Sequence, residues 1–179
     1  MLSFKKAIFR VLCLCCVFIG GGGLMAEPNP EELFDLGVKS NKAKDYIQAK
    51  KYFEKACDLK YGSGCGTLGF LYGMGKGVEK NLTKAAYFYA KACDLKYGGG
   101  CGNLGVLYQK GEGVEKDLIK AAYFYSKACE LKESFGCGAL AVLYINGQGV
   151  EKNLTKADQY ISKACKLGDQ EACEALKEK

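Results

Sequence analysis

The sequence predicts an all-α fold, a right-handed α-solenoid of stacked helix pairs, on three observations. Eight cysteines fall in four pairs, Cys57/Cys65, Cys93/Cys101, Cys129/Cys137 and Cys165/Cys173, with the members of each pair eight residues apart. Both members recur at a fixed step of 36 residues. Inside each step two stretches of helical periodicity flank a Gly-x-Gly element. Self-similarity at a period of about 20–50 residues marks a repeat array, in which each unit buries its apolar face on the next.

The segment ahead of the repeats reads as a secretory signal peptide over residues 1–26. Lys5, Lys6 and Arg10 form a basic start, Val11 to Ile19 an apolar run, and Leu24-Met25-Ala26 a cleavage site. The run is well short of the roughly 20 residues that a membrane span needs, so no stable membrane insertion is expected after cleavage. Cleavage also removes Cys13, Cys15 and Cys16, which takes 11 cysteines to eight, an even number suited to full pairing. An exported chain, secreted or periplasmic, in an oxidising compartment is the expectation. Losing Lys5, Lys6 and Arg10 takes 26 basic residues to 23, against 20 acidic ones, for a net charge of +3. The remaining lysines mostly sit near acids, as in Glu79-Lys80 and Glu115-Lys116, which describes a solvated helical surface. With no arginine left and no basic stripe, nucleic acid is not an expected partner.

Residues 27–179 form one repeat domain, with units at about 31–62, 63–98, 99–134 and 135–168 and a capping helix in 169–179. The first unit diverges: Leu36-Gly37 and Leu68-Gly69 are 32 residues apart, and Asn41 to Asp45 replaces the double-glycine loop. A divergent terminal repeat is expected where one face meets water. In the first helix of a unit, Cys101, Leu104, Gly105 and Tyr108 share one face. Gly105 costs about 1 kcal/mol of helix propensity and implies a closely packed neighbour. In the second helix Ala85, Tyr89, Ala92, Cys93 and Lys96 follow the same rhythm, with Lys96 closing the helix at its aqueous end. Asn81, Asp117 and Asn153 stand at its N-cap position. The glycines of Gly-x-Gly can turn the chain at positive φ. Gly168 stops the last unit, and Asp169 caps a final helix from Gln170 to about Leu176 that carries Cys173.

Two cysteines eight apart on one straight helix would lie about 12 Å apart along its axis. A disulfide tolerates a Cα separation of at most about 7 Å. Bonded near-neighbours therefore need a chain reversal, and Tyr61-Gly62-Ser63-Gly64 and Tyr97-Gly98-Gly99-Gly100 supply one. Eight cysteines allow 105 pairings, and repeat symmetry with the turn favours the local one. Each bond then joins the second helix of one unit to the first helix of the next. A loop of about nine residues gives roughly 2.6 kcal/mol per bond in the chain-entropy description. The spacing of eight and the lack of histidine speak against a zinc site, so neither metal nor cofactor is expected.

Cys101-Gly-Asn-Leu-Gly-Val-Leu-Tyr108 and the Gly-x-Gly-Val-x-Lys-[Asn/Asp] loop resemble Sel1-like repeats, relatives of the tetratricopeptide repeat. With its paired cysteines the chain resembles the Helicobacter cysteine-rich protein family over roughly residues 31–179. The resemblance implies an exported all-α solenoid with one disulfide per repeat. It also implies penicillin binding, a β-lactamase label with weak hydrolysis of penicillin and cephalosporin derivatives, and a role in host contact.

The residues do not supply the usual β-lactamase chemistry. A serine enzyme of that kind needs Ser-x-x-Lys, and the match is Ser3 to Lys6, inside the signal peptide. Ser40, Ser63, Ser126, Ser134 and Ser162 have no lysine three residues on, and Lys-Thr-Gly is absent. A zinc enzyme needs histidines, and paired cysteines offer no thiolate. The catalytic residues are therefore unknown. A binding groove is the stronger reading. With Leu104, Gly105 and Tyr108 turned inward, Gly102, Asn103, Val106 and Lys110 lie on the opposite side, with counterparts Gly66, Thr67, Phe70 and Met74 and Gly138, Ala139, Val142 and Asn146. Thr67, Phe70, Met74, Asn103, Val106, Lys110, Val142 and Asn146 are the candidate lining. Peptide, protein or cell-wall fragments are the expected ligands, bound by a monomer. The recurring Tyr72, Tyr108 and Tyr144 read as core packing with hydroxyls at the rim. Asn81-Leu-Thr83 and Asn153-Leu-Thr155 fit a glycosylation pattern, but helix capping explains those asparagines with less.

Overall fold

The computed structural model describes residues 28–177, so the signal-peptide segment lies outside the described residues. Nine helices and no strand lie within them: α1 Pro30–Lys42, α2 Tyr46–Asp58, α3 Gly62–Met74, α4 Leu82–Asp94, α5 Gly98–Lys110, α6 Leu118–Glu130, α7 Ser134–Asn146, α8 Leu154–Lys166 and α9 Gln170–Lys177. They pair as α1/α2, α3/α4, α5/α6 and α7/α8, and each pair packs on the next to form an α-solenoid, with α9 against α8. None of these helices is long and apolar enough to cross a membrane.

The helix starts follow from capping chemistry. The Asp45, Asn81, Asp117 and Asn153 side chains accept the N–H of Gln48, Lys84, Lys120 and Lys156 at 3.0, 2.8, 2.9 and 2.8 Å. Asp169 does the same for Ala172 at 3.0 Å. Each bond satisfies an orphan donor of the first turn, which accounts for Asn81 and Asn153 as structural residues. Helices α3, α5 and α7 have no side-chain cap; a disulfide ties each of their first turns instead.

The first helices end at Gly75, Gly111 and Gly147, all left-handed, with φ of 68°, 74° and 67°. The following N–H of Lys76, Glu112 and Gln148 turns back to the Leu71, Leu107 and Leu143 carbonyls at 3.0–3.1 Å. The second glycine of each loop does more than turn the chain. A Cβ on Gly77 would meet Tyr46 Cβ at 2.6 Å, and one on Gly113 or Gly149 would collide with the Leu82 or Leu118 backbone. Each loop thus lies flush on the start of the preceding unit's second helix.

Between units the structure corrects one expectation. Lys96 does not close α4, which ends at Asp94; it sits past the helix in a left-handed turn, with φ of 63°. Lys44, Lys60 and Lys132 adopt the same conformation. The reversal needs one such residue so that the next N–H, on Tyr61, Tyr97 or Glu133, can reach the Ala56, Ala92 or Ala128 carbonyl at 3.0 Å. A left-handed non-glycine residue costs about 1–2 kcal/mol, and a lysine there keeps its ammonium in water.

All four local disulfides form, each with a Cα separation of 4.6 Å. Cys65, Cys101 and Cys137 are fully buried. Such proximity depends on Gly64, Gly100 and Gly136, where a Cβ would meet the Ala56, Ala92 or Ala128 methyl at 2.8, 2.5 and 2.5 Å. Gly105 has the close neighbour its position implied: the Tyr125 ring lies 2.8 Å from where its Cβ would be. In the next unit the pair becomes Ala141 and Ile161, a larger residue on one helix opposite a smaller one on the other.

Candidate functional site: the inner groove

The first helices of successive units approach each other, α3 on α5 and α5 on α7, with no comparable contact between α4 and α6 or between α6 and α8. The face carried by α3, α5 and α7 is therefore the inside of the array. Thr67, Phe70 and Met74 form one stripe on α3 at helical spacing, and Asn103, Val106 and Lys110 the matching stripe on α5. Val142 and Asn146 continue it on α7. Phe70 is 41% exposed, Met74 58% and Val142 49%. Asn103, Lys110 and Asn146 are exposed as well, while Thr67 and Val106 are half-buried. Val106 owes its cover to the cluster around Tyr125, Leu140 and Leu143. The stripe is thus most apolar on α3, mainly polar on α5 and mixed on α7.

Two expectations about the groove change. Gly66 and Gly102 are buried rather than open. The Tyr97 ring covers Gly66 and the Phe135 ring lies against Gly102, because the start of each following first helix folds an aromatic side chain over the preceding one. Gly138 is half-buried and has no such cover. Two residues beside the lining escaped the sequence reading. Lys76, from the Gly-x-Gly loop, holds its ammonium 5.3 Å from the Phe70 ring centroid. Ile145 adds an apolar side chain, 38% exposed, next to Val142. Neither repeats at 36 residues, since Lys76 aligns with Glu112 and Gln148, and Ile145 with Gly73 and Gln109.

The tyrosine series is a packing device. Tyr72 stacks on Phe88, Tyr108 on Phe124 and Tyr144 on Tyr160, at 5.5–5.6 Å and within 8° of parallel. Lys84, Lys120 and Lys156 lie 5.3–5.4 Å from the Tyr72, Tyr108 and Tyr144 centroids. The half-buried phenols tie the two helices of each unit together.

Electrostatics offers little to a nucleophile. Burial pushes the Tyr89 and Tyr125 phenols up to about 12, which holds them protonated. The Tyr125 hydroxyl donates to Gln109 Oε1 at 2.6 Å. The Asp117 carboxyl is lowered, first by the Lys120 backbone N–H that it caps. A hydrogen bond with Tyr123 raises Lys127, the wrong direction for a free amine. All eight cysteines of the described residues are bonded. Among those residues no group of three His, Cys, Asp or Glu gathers to hold a metal.

Comparison with known proteins agrees with this geometry. The Sel1 repeat pattern matches residues 33–61, 67–97, 100–133 and 134–169, more than half of the chain. HcpC of Helicobacter pylori, named provisionally as a β-lactamase, is 62% identical over 80 residues, 45% of this chain and 27% of HcpC. The match thus spans about a quarter of that relative's length. Among solved structures, a Sel1 repeat protein from Oxalobacter formigenes superposes with a TM-score of 0.74 at 32% identity, covering 78% of this chain and 57% of that one. Helicobacter pylori cysteine-rich protein B superposes with a TM-score of 0.58 at 35% identity, covering 87% of this chain and 99% of that one. Helix pairs at a 36-residue step, a cysteine staple at every junction and these matches make the chain a member of the Sel1 repeat family, within the Helicobacter cysteine-rich proteins.

Proposed function

We propose that the protein is an exported binding scaffold that takes extended peptide, protein or peptidoglycan-type segments along its inner groove, at the bacterial envelope or the host interface. The observation that carries this reading is the exposed apolar stripe of Phe70, Met74 and Val142 on the face where the first helices converge. Exposed apolar surface of that kind marks interaction sites. Sel1 repeat arrays are interaction scaffolds as a class, and the four disulfides with the family relationship suit an exported protein. The test is binding of synthetic extended peptides and muropeptides to the oxidised protein. Phe70→Asp and Val106→Asp should weaken it at least tenfold, and binding unchanged by both substitutions would contradict the groove.

A second reading follows from the β-lactamase in HcpC's name together with what the family resemblance implies: penicillin binding or weak hydrolysis of penicillin and cephalosporin derivatives. Without an activated serine, thiolate or zinc site, the scaffold reading expects no nitrocefin turnover above background from repurified, oxidised protein. Turnover that survives repurification and falls on substitution of one groove residue would replace the scaffold with an enzyme.

A further inference from the structure

The four junctions between units differ in what covers them. At the first, Tyr61 packs on Phe34 with ring centroids 5.5 Å apart. At the second, the Tyr97 ring fills the space above Gly66, within 2.6 Å of where a Cβ would be. At the third, Phe135 takes that place over Gly102, at 3.4 Å. Two sequence positions share the task. Two residues after Tyr97 stands Gly99, over which its ring also lies, and a Cβ there would sit 3.0 Å from it. Phe135 is preceded at the tyrosine's position by Glu133. At the fourth junction the two positions are Asp169 and Glu171, and neither supplies a ring. A Cβ on Gly138 would meet only Asp169 Oδ2, at 3.5 Å.

The consequence is a cavity of about 430 Å³ between α7, α8 and α9, lined by Gly138, Val142, Ile161 and Ala172, with Asp169 and Glu171 also on its wall. Its volume falls in the range of about 300–1,000 Å³ usual for ligand sites. Asp169 Oδ1 is engaged by the Ala172 N–H, which leaves Oδ2 over Gly138. Glu171 is exposed.

We propose that this cavity receives an aromatic side chain from a partner peptide, with a lysine or arginine beside it paired to Asp169 and Glu171. The protein's own junctions show what fits such a place: an aromatic ring packed against a glycine of the preceding first helix. The fourth junction keeps the glycine and the apolar floor, and two carboxylates stand where the chain's own aromatic would be. An apolar pocket under an acidic rim selects an apolar ring flanked by positive charge. Val142 belongs both to this pocket and to the groove, so a segment lying along the groove would end here. The inference rests on the groove reading for that continuity.

The test uses the oxidised, ¹⁵N-labelled full chain and three peptides: acetyl-Gly-Lys-Phe-Lys-Gly-amide, its Ala-for-Phe analogue and its Glu-for-Lys analogue. The first should shift the amides of Gly138, Ala139 and Ala172, and the other two should bind at least tenfold more weakly. Glu171→Phe installs the third junction's cover and spares the Asp169 cap. It should abolish those shifts and raise Tm by about 2–4 °C, while Ile47→Asp, at a site 64% exposed on α2, leaves the shifts intact. Should Glu171→Phe fail to fold, Gly138→Leu fills the same space with the same expected loss of binding. Shifts that persist in the filled variants overturn the proposal, as does silence at these amides with every peptide. Shifts confined to Phe70 and Val106 would overturn the pocket and keep the groove; shifts at the pocket alone, with longer peptides also leaving Phe70 and Val106 silent, would do the reverse. Concentration-dependent shifts at the pocket without peptide would name a second copy as the occupant and overturn the peptide.

Discussion

The second and fourth junctions carry the same staple in different surroundings. Cys93 and Cys101 are 3% and 0% exposed and pack against Ala128, whereas Cys165 and Cys173 are half-buried. At the second junction the ring of Tyr97 covers the preceding first helix, and at the fourth two carboxylates take the ring's place. The starts of the second helices differ too. The Gly113 and Gly149 loops lie on Leu82 and Leu118, which are half-buried, while Leu154 at the same position of α8 is 58% exposed. A covalent bond holds register at both junctions, and Ala172 packs on Ala164 at the fourth, but only the second is also sealed by a ring. Surface left free by packing is surface that can bind.

The largest effect should come from breaking the seal at an inner loop. Gly113→Ala places a methyl against the Leu82 backbone and forces alanine to a φ of 70°. Left-handed strain and overpacking together should cost about 3–4 kcal/mol in urea unfolding. Next, Cys93→Ala with Cys101→Ala should lower global stability by about 2.6 kcal/mol. The same change at Cys165 and Cys173 should chiefly release α9, read as lost hydrogen-exchange protection from Ala172 to Lys177 with a smaller fall in Tm. Equal effects at the two junctions would remove the distinction between sealed and merely stapled. Tyr97→Asp imports the fourth junction's chemistry into the second. It should cost about 1.5–2 kcal/mol of burial and open a cavity over Gly66 visible in a crystal structure.

At neutral pH the smallest effect comes from the buried phenols, whose pH dependence is confined to alkaline conditions. The Tyr89 and Tyr125 phenols, raised to about 12 by burial, must stay protonated in the folded state. Their contribution is fully present below the unfolded value near 10 and is lost as pH rises through about 12. Stability should therefore fall across that window, and Tyr125→Phe should flatten the fall. Tyr125→Phe should also cost about 1 kcal/mol at neutral pH through the lost bond to Gln109.

What could be read from the sequence was what repeats. Cysteines at a fixed step located the staples, and the recurring Gly-x-Gly located the turns. Asn81, Asp117 and Asn153 announced their caps because short acceptors before a helix have one low-cost use. The left-handed lysines were not legible, since lysine carries no signature of positive φ and the constraint comes from the reversal between helices. The aromatic covers were hidden because Tyr97 and Phe135 hold equivalent places from positions two residues out of step. The exchange of Gly105 and Tyr125 for Ala141 and Ile161 was hidden for a similar reason: volume is conserved across the helix contact rather than at either position. Of the groove, the helical stripe was legible and its covered glycines were not, because the cover comes from the next unit.

The central claim is that the inner face binds and the outer one does not. Placing a photo-crosslinking benzoylphenylalanine at Val106 or Val142, and separately at Tyr123, which is 53% exposed on α6, tests it directly in oxidised protein exposed to envelope and host-surface extracts. Defined crosslinked products from positions 106 and 142, with none from 123, are the predicted result. Products from position 123 with none from the groove would contradict it.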